Sequence, residues 1–337
     1  MSALADGVDA LLEASIVGSF TRLGFLTRRR LDRWSPTEGL DLRGRVIVIT
    51  GATSGLGLEA ATTLARTGAT IEVVARDAAK AAATCARIRA ASGDTHVDHT
   101  VADLGDLDAV RRAADALRAR HARVDVLVHN AGALDDVRHE TPQGLEQTVA
   151  THVVGPFLLT TLLLDRLLAA PRARVLWVSS GGLYSEPLDP DRLELDAAHY
   201  DGTKAYARAK RAQVTLSAMW AERLRATGVV VHAMHPGWAD TPGVARSLPT
   251  FRRVVGRLLR TPAEGADTLI WLASDDGVPL AGTGQFWLDR RPRALHLTAA
   301  TRRSDTPEAR ARLWAWVVAR SGADDPSEAP ITRARST

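Results

Sequence analysis

The sequence predicts a doubly wound parallel α/β sheet, and three observations predict it. Short Val/Ile-rich runs at 45–50, 70–75, 98–101, 124–128, 173–179 and 229–234 alternate with Ala/Leu/Arg segments of helical periodicity. Helix-length crossovers pair such strands in parallel and place a ligand beyond their carboxyl ends. The third observation is where a rare residue sits: Asn130, the only asparagine in 337 residues, stands in His129-Asn130-Ala131-Gly132, where an apolar run meets a turn.

Composition fits one large domain with extensions, since 45% hydrophobic residues supply a core. With 43 basic and 39 acidic residues the net charge is +4, and no aromatic-interleaved basic stripe points to nucleic acid. The lone Cys85 can form neither an intrachain disulfide nor a cysteine zinc site, so no metal is expected and a reducing, cytoplasmic setting is favoured. Asp6, Asp9 and Glu13 interrupt any signal-peptide pattern, and the longest apolar stretch, 153–164, is too short to span a membrane.

Residues 1–42 form an N-terminal extension. Its stretch Ile16–Leu26, followed by Arg28-Arg29-Arg30, reads either as a stripe docked on the protein's own fold or as a contact with an anionic membrane surface; docking is the expectation. The first strand runs into Thr50-Gly51-Ala52-Thr53-Ser54-Gly55-Leu56-Gly57, with a helix from about Leu58 to Arg66. Glycines let backbone approach a pyrophosphate, and a helix N-terminus supplies unpaired N–H groups. Gly51, Thr53, Ser54, Gly55, Leu56 and Gly57 are therefore the expected cradle.

The second strand ends in Ala75-Arg76, where a carboxylate would hold the ribose hydroxyls of NAD. Arg76 suits a 2′-phosphate instead, so NADP is expected over NAD; the competing reading is a solvated surface arginine. Glu72 lies too early in the strand to fill the acidic slot. After the third strand, Asp103-Leu104 is placed to contact adenine, or Asp103 caps the helix beginning near Leu107. Asn130, Ala131 and Gly132 close the cofactor end at the fourth strand.

The fifth strand ends in Ser179-Ser180-Gly181-Gly182, and a helix near 203–226 carries Tyr206 and Lys210 at i,i+4. A free phenol titrates at about pH 10, but a neighbouring ammonium and an oxidised nicotinamide both favour phenolate, which makes Tyr206 a proton donor or acceptor. Lys210 would also orient the nicotinamide ribose, while Ser180 hydrogen-bonds a substrate carbonyl. Tyr200 and Lys204 share the spacing, yet Asp201-Gly202 between them starts the helix at about Thr203 and leaves Tyr200 outside. The segment from Ser180 to Tyr206 offers Tyr184, Leu188, Leu193 and Leu195 as a substrate wall, or is a disordered insertion. Trp177, Trp314 and Trp316 read as core or interface. A last strand includes Gln285-Phe286-Trp287, the core domain spans 43–290, and 291–337 form a C-terminal extension with a mobile tail.

As a set these residues resemble the short-chain dehydrogenase/reductase family: TGATSGLG at 50–57, DL at 103–104, HNAG at 129–132, SS at 179–180, YARAK at 206–210 and HPGWADT at 235–241. The resemblance implies a Rossmann-type fold, catalytic Ser180, Tyr206 and Lys210, and a nicotinamide bordered by Pro236, Gly237, Trp238 and Thr241. VSSGGLYSE, YDGTKAYARAKRAQV, GADTLIWLA and GQFWLDRRPRALHL are similar to the family's member-twelve group, a likeness that reaches into 14–45 and 285–317. One slot departs: where the family places a fourth catalytic asparagine, this chain has His152, which either holds the relay water or packs in its helix and donates to a backbone carbonyl. The implied function is an NADP-preferring oxidoreductase for a lipophilic ketone, aldehyde or secondary alcohol, with a homo-oligomer left open. Its rival is a nucleotide-binding regulatory or scaffold protein without turnover.

Overall fold

The computed structural model describes residues 3–37, 39–93 and 96–326; the predicted mobile tail, 327–337, lies outside them. Three helices come first: α1 (Ala3–Glu13), α2 (Ile16–Phe20) and α3 (Arg22–Leu31). The βα alternation follows as β1 (Val46–Thr50), α4 (Gly55–Arg66), β2 (Thr70–Ala75), α5 (Ala78–Ser92), β3 (Val97–Val101), α6 (Leu107–Arg120) and β4 (Val126–His129). Next are α7 (Gln147–Val149), a π-helical turn at Ala150–Val154, α8 (Gly155–Leu162), α9 (Leu164–Ala169), β5 (Arg174–Val178), α10 (Gly202–Leu224) and β6 (Val230–Met234). The remainder holds α11 (Pro242–Ser247), α12 (Pro249–Val255), α13 (Pro262–Ser274), β7 (Phe286–Leu288), β8 (Arg291–Pro292), α14 (Ala299–Ser304) and α15 (Pro307–Ser321).

The strands form one sheet in the order β3-β2-β1-β4-β5-β6-β7-β8, parallel except for β8. This is the predicted doubly wound, Rossmann-type sheet. Strands β1, β4, β5 and β6 are buried along nearly their whole length, which is why they read as continuous apolar runs. On one face Leu117, Phe157, Trp177, Trp220 and Trp314 build the larger core; on the other, Leu64, Ile88 and Leu269 pack α4, α5 and α13 against the sheet. Leu188 and Leu193 point into the larger core, so they do not line an open wall, and the Ser180–Tyr206 segment is folded into short 3₁₀ turns.

The N-terminal helices dock on the β7–β8 edge through buried charge. Asp289 and Arg290 join those strands with φ of 54° and 56°, the left-handed pair that a two-residue hairpin needs and that side chains resist. Ion pairs hold both residues there. Asp289 accepts from Arg28 at 2.7 Å and from Arg260 at 2.5 Å, and Arg290 donates to Asp267 at 2.8 Å. Arg28 also reaches Asp9 at 2.6 Å and Glu13 at 2.7 Å, while Arg291 and Arg293 bind Asp32 and Asp9. Burial works against ionising Asp9, yet hydrogen bonds and charge from Arg293 and Arg28 hold its carboxyl down to about 2.

Candidate active site

The strand order reverses between β1 and β4, and the predicted cofactor residues meet at the carboxyl ends of those two strands. Thr50 stitches them together: its Oγ1 accepts from the Asn130 and Ala131 N–H groups at 3.0 Å and donates to the Val128 carbonyl at 3.2 Å. Asn130 Nδ2 donates to the Thr50 and Gly51 carbonyls at 3.0 and 3.1 Å, so its side chain fixes the glycine loop to β4.

Two glycines are required by that closeness. Gly51 has φ of 69°, and a Cβ there would come within 2.6 Å of the Ala131 Cα; a Cβ at Gly57 would collide with Asn130 Nδ2. Helix α4 starts at Gly55, three residues before the predicted Leu58, because Gly55, Leu56 and Gly57 are already its first turn. Ser54 at its N-cap makes no side-chain cap bond, so among the described residues the N-terminal amides are left uncapped. A cradle that any Cβ would fill, together with uncapped amides, fits the pyrophosphate of a dinucleotide. Thr53 belongs to the same loop, and Thr241 packs against Gly55 while accepting from Val244 N–H at the start of α11.

At the adenine end Arg76 is exposed just after β2. Asp103 is not the cap of α6, because that position is taken by Asp106; Asp103 instead accepts from Gly105 N–H at 2.8 Å and shapes its own turn. Leu104 is buried, and its carbonyl lies so close to Gly155 that no side chain fits there.

Ser180, Tyr206, Lys210 and His152 come together at the ends of β4 and β5. Asp201 caps α10 by accepting from Lys204 N–H at 2.9 Å, which leaves Tyr200 outside the helix, bonded to Thr148 at 3.1 Å and Glu146 at 3.2 Å. Tyr206 is inside, with the Lys210 ammonium 5.4 Å from its ring centroid and the His152 ring edge-on at 5.3 Å. Ser180, at the end of β5, lies close enough to Tyr206 to favour its ionised form. Burial raises Tyr206 above its ordinary value and Ser180 opposes the rise, while burial lowers Lys210 to about 7. In the free chain desolvation therefore outweighs the stabilisation of phenolate expected from Lys210, since the same burial weakens the lysine's own charge.

His152 sits in the π turn, a helix defect that re-aims side chains. Its Nε2 lies 2.9 Å from the Ala133 carbonyl oxygen and 3.2 Å from Ala133 N, and burial pushes the ring down to about 3, hence neutral. Gly132 is required beneath it, because a Cβ would strike the imidazole.

The loop after β6 completes the site. Pro236 and Gly237, the latter with φ of 68°, face Arg260, and Trp238 packs edge-on to Phe20 at 6.0 Å and Phe251 at 5.1 Å. Phe20 is a neighbour that sequence reasoning missed. Its carbonyl accepts from Trp238 N–H at 2.8 Å, and a Cβ on Gly181 would come 2.5 Å from its ring, so α2 braces the loops after both β5 and β6. Gln213, three residues beyond Lys210 on α10, was also missed; its spacing was the only signal.

The chain matches the short chain dehydrogenase family over residues 45–188. It is 36% identical over 269 residues to human dehydrogenase/reductase SDR family member 12, covering 80% of this chain and 84% of that one. Human retinol dehydrogenase 13 is 29% identical over 333 residues, 96% of this chain and 99% of that protein. An Escherichia coli CFT073 structure assigned as a short chain dehydrogenase and complexed with NADPH superposes with a TM-score of 0.63 at 26% identity, covering 76% of this chain and 100% of that one. The chain belongs to the short-chain dehydrogenase/reductase family of oxidoreductases.

Proposed function

We propose that this protein is an NADP-preferring oxidoreductase that interconverts a lipophilic carbonyl compound and its alcohol. The observation that carries the reading is the convergence of Ser180, Tyr206 and Lys210 beside a glycine cradle at the strand-order reversal. Gly51, Thr53, Ser54, Gly55, Leu56 and Gly57 would hold the pyrophosphate, Arg76 the 2′-phosphate, Asp103 and Leu104 the adenine, and Asn130 to Gly132 with Pro236, Gly237, Trp238 and Thr241 the nicotinamide half. The bound dinucleotide supplies or accepts the hydride.

The chain's own residues handle the proton. Tyr206 gives its phenolic proton to the substrate oxygen in reduction and takes it back in oxidation. The Ser180 Oγ accepts from Gly182 N–H at 3.2 Å, which leaves its own proton to donate to the substrate oxygen. Lys210 supplies positive charge to Tyr206 and a donor to the ribose. The edge-on Trp238 and Phe251 rings offer apolar surface at the loop proposed to border the nicotinamide, and the relative named for retinol supports a lipophilic substrate.

Tyr206→Phe keeps the ring and its packing against His152 while deleting the transferable proton. Turnover of a ketone and aldehyde panel with NADPH is expected to fall by about 10² to 10⁴, with NADPH binding retained and Tyr200→Phe close to wild type. Full activity in Tyr206→Phe would refute the assignment and favour the rival tyrosine or a non-catalytic nucleotide binder.

The outward face of the N-terminal helices supports contact with an anionic lipid surface. Leu4, Leu11, Ile16, Val17, Leu23 and Leu26 are exposed, and so are Arg29, Arg30 and Arg33, whereas Asp9, Glu13 and Asp32 are paired with Arg28, Arg291 and Arg293. No helix among the described residues is long and apolar enough to cross a membrane. Sedimentation with phosphatidylserine vesicles, and less with phosphatidylcholine alone, is the expected result. Equal absence from both pellets, or a dimer that covers this face, overturns it.

A further inference from the structure

Lys210 is fixed by contacts within the protein itself. Its ammonium donates to the Val178 carbonyl at 2.8 Å and to Gln213 Oε1 at 3.1 Å. Gln213 is fully buried, and its Nε2 donates in turn to the His152 carbonyl at 3.3 Å. One carboxamide thus links the lysine of α10 to the π turn, with each end used in the only sense an amide allows: oxygen toward a cation, nitrogen toward a carbonyl.

The surroundings make that bridge consequential. The titratable groups facing the Lys210 ammonium are Tyr206 on its own helix and His152 on the π turn; β5 contributes the neutral Val178 carbonyl, and among the described residues no carboxylate acts on the lysine. Among these residues its charge is therefore stabilised by neutral dipoles, and Gln213 Oε1 is the side-chain oxygen that accepts from it. A neutral His152 ring adds nothing to that stabilisation at neutral pH.

We propose that Gln213 is a positioning residue of the proton-transfer site, holding the Lys210 ammonium against Tyr206 by bridging it to the His152 carbonyl. This inference rests on the oxidoreductase reading and deepens it. A carboxamide cannot pass a proton onward without becoming an imidic acid, so the bridge holds the lysine without offering it an easy exit for protons. Proton exchange with solvent then runs through the open side of the site, past Tyr206 and Ser180. The charge state of Lys210 should answer to the chemistry at position 213.

The composition allows a direct test on the cofactor-free protein. Only Lys80, Lys204 and Lys210 occur in the chain, and the first two are exposed, so ¹³C,¹⁵N-lysine labelling gives three side-chain signals that Lys210→Arg assigns. In wild type the Lys210 signal is expected to titrate well below the other two. Gln213→Glu preserves shape and places a carboxylate on the ammonium, and should raise the Lys210 midpoint by at least about one pH unit, a tenfold change. Gln213→Leu removes the acceptor and should lower it. The pH profile of kcat/KM, measured with any active substrate, should move in the same directions. A Lys210 midpoint unchanged in folded Gln213→Glu overturns the proposal, and that variant decides alone should Gln213→Leu not fold. Absence of turnover in every protein would instead defeat the oxidoreductase reading, since the titration is read without it.

Discussion

Arg76 follows β2 with its side chain in solvent and makes no ion pair among the described residues, whereas its neighbour Asp77 is used to cap α5 and to pair with Lys80. A guanidinium left free at the ribose end of a dinucleotide site is suited to a phosphate. Arg76→Asp is expected to weaken NADPH binding by roughly 10- to 100-fold, the value of a charge-assisted contact, and NADH binding far less. Fluorescence titration with both nucleotides checks this; equal losses would make Arg76 a surface arginine. At this scale the sequence was informative where a residue type is scarce and its chemistry is local. Asn130, Tyr206 and Lys210 stood out because the chain has so few of their kind, and the glycine of Asp201-Gly202 separated Tyr206 from Tyr200, a break the structure makes with Asp201 as N-cap. Gln213 and Phe20 were silent because their importance lies in partners distant in sequence: the His152 carbonyl for one, the Trp238 and Gly181 backbones for the other.

Elements followed the same division. All seven parallel strands lie within two residues of their predicted limits, since burial on both faces of the inner strands leaves apolar runs that need no tertiary knowledge to see, while the edge strand β3 keeps only the alternation of a half-buried one. What escaped is what tertiary contacts impose. The β7–β8 turn places Asp289, one of the few non-glycine types at home in left-handed backbone, next to Arg290, which is not, and both are held because Arg28, Arg260 and Asp267 bind their side chains. The π turn at Ala150–Val154 has no period of its own, and it is the element that brings His152 to Gly132 and its carbonyl to Gln213. The N-terminal stripe was readable as amphipathic and its docking was expected, but the means of docking was not, because the buried Asp9 of α1 meets arginines some 280 positions away.

Across the whole molecule, four histidines are buried and held neutral, and this sets how the fold responds to acid. Burial lowers His129 and His152 to about 3 and also depresses His232 and His235, against an ordinary value of 6.5. Above that value both folded and unfolded chains carry neutral imidazoles and no penalty arises. Below it the unfolded chain takes up protons that the folded chain refuses, so stability is lost as pH falls from 6.5 toward 3, by up to about 1.4 kcal/mol per pH unit for each histidine. The carboxylates act in the same direction but lower: Asp9 and Asp276, held at about 2 by arginines, lose their contribution only as pH falls from 3.8 toward 2. Urea unfolding at pH 7, 6 and 5 should therefore show a steep decline already above pH 5, before any of these carboxylates titrates. His129 offers the control, because it lies beside Trp177 at 4.4 Å and its one partner, Thr160, keeps a bond to the Pro156 carbonyl at 2.9 Å. His129→Phe fills the same aromatic slot and should flatten the slope between pH 6 and 5 by about one proton's worth, or about 1.4 kcal/mol per pH unit at most. A slope as steep as wild type in that variant would mean that His129 is protonated in the folded state, and with it that burial at the end of β4 is weaker than the packing implies.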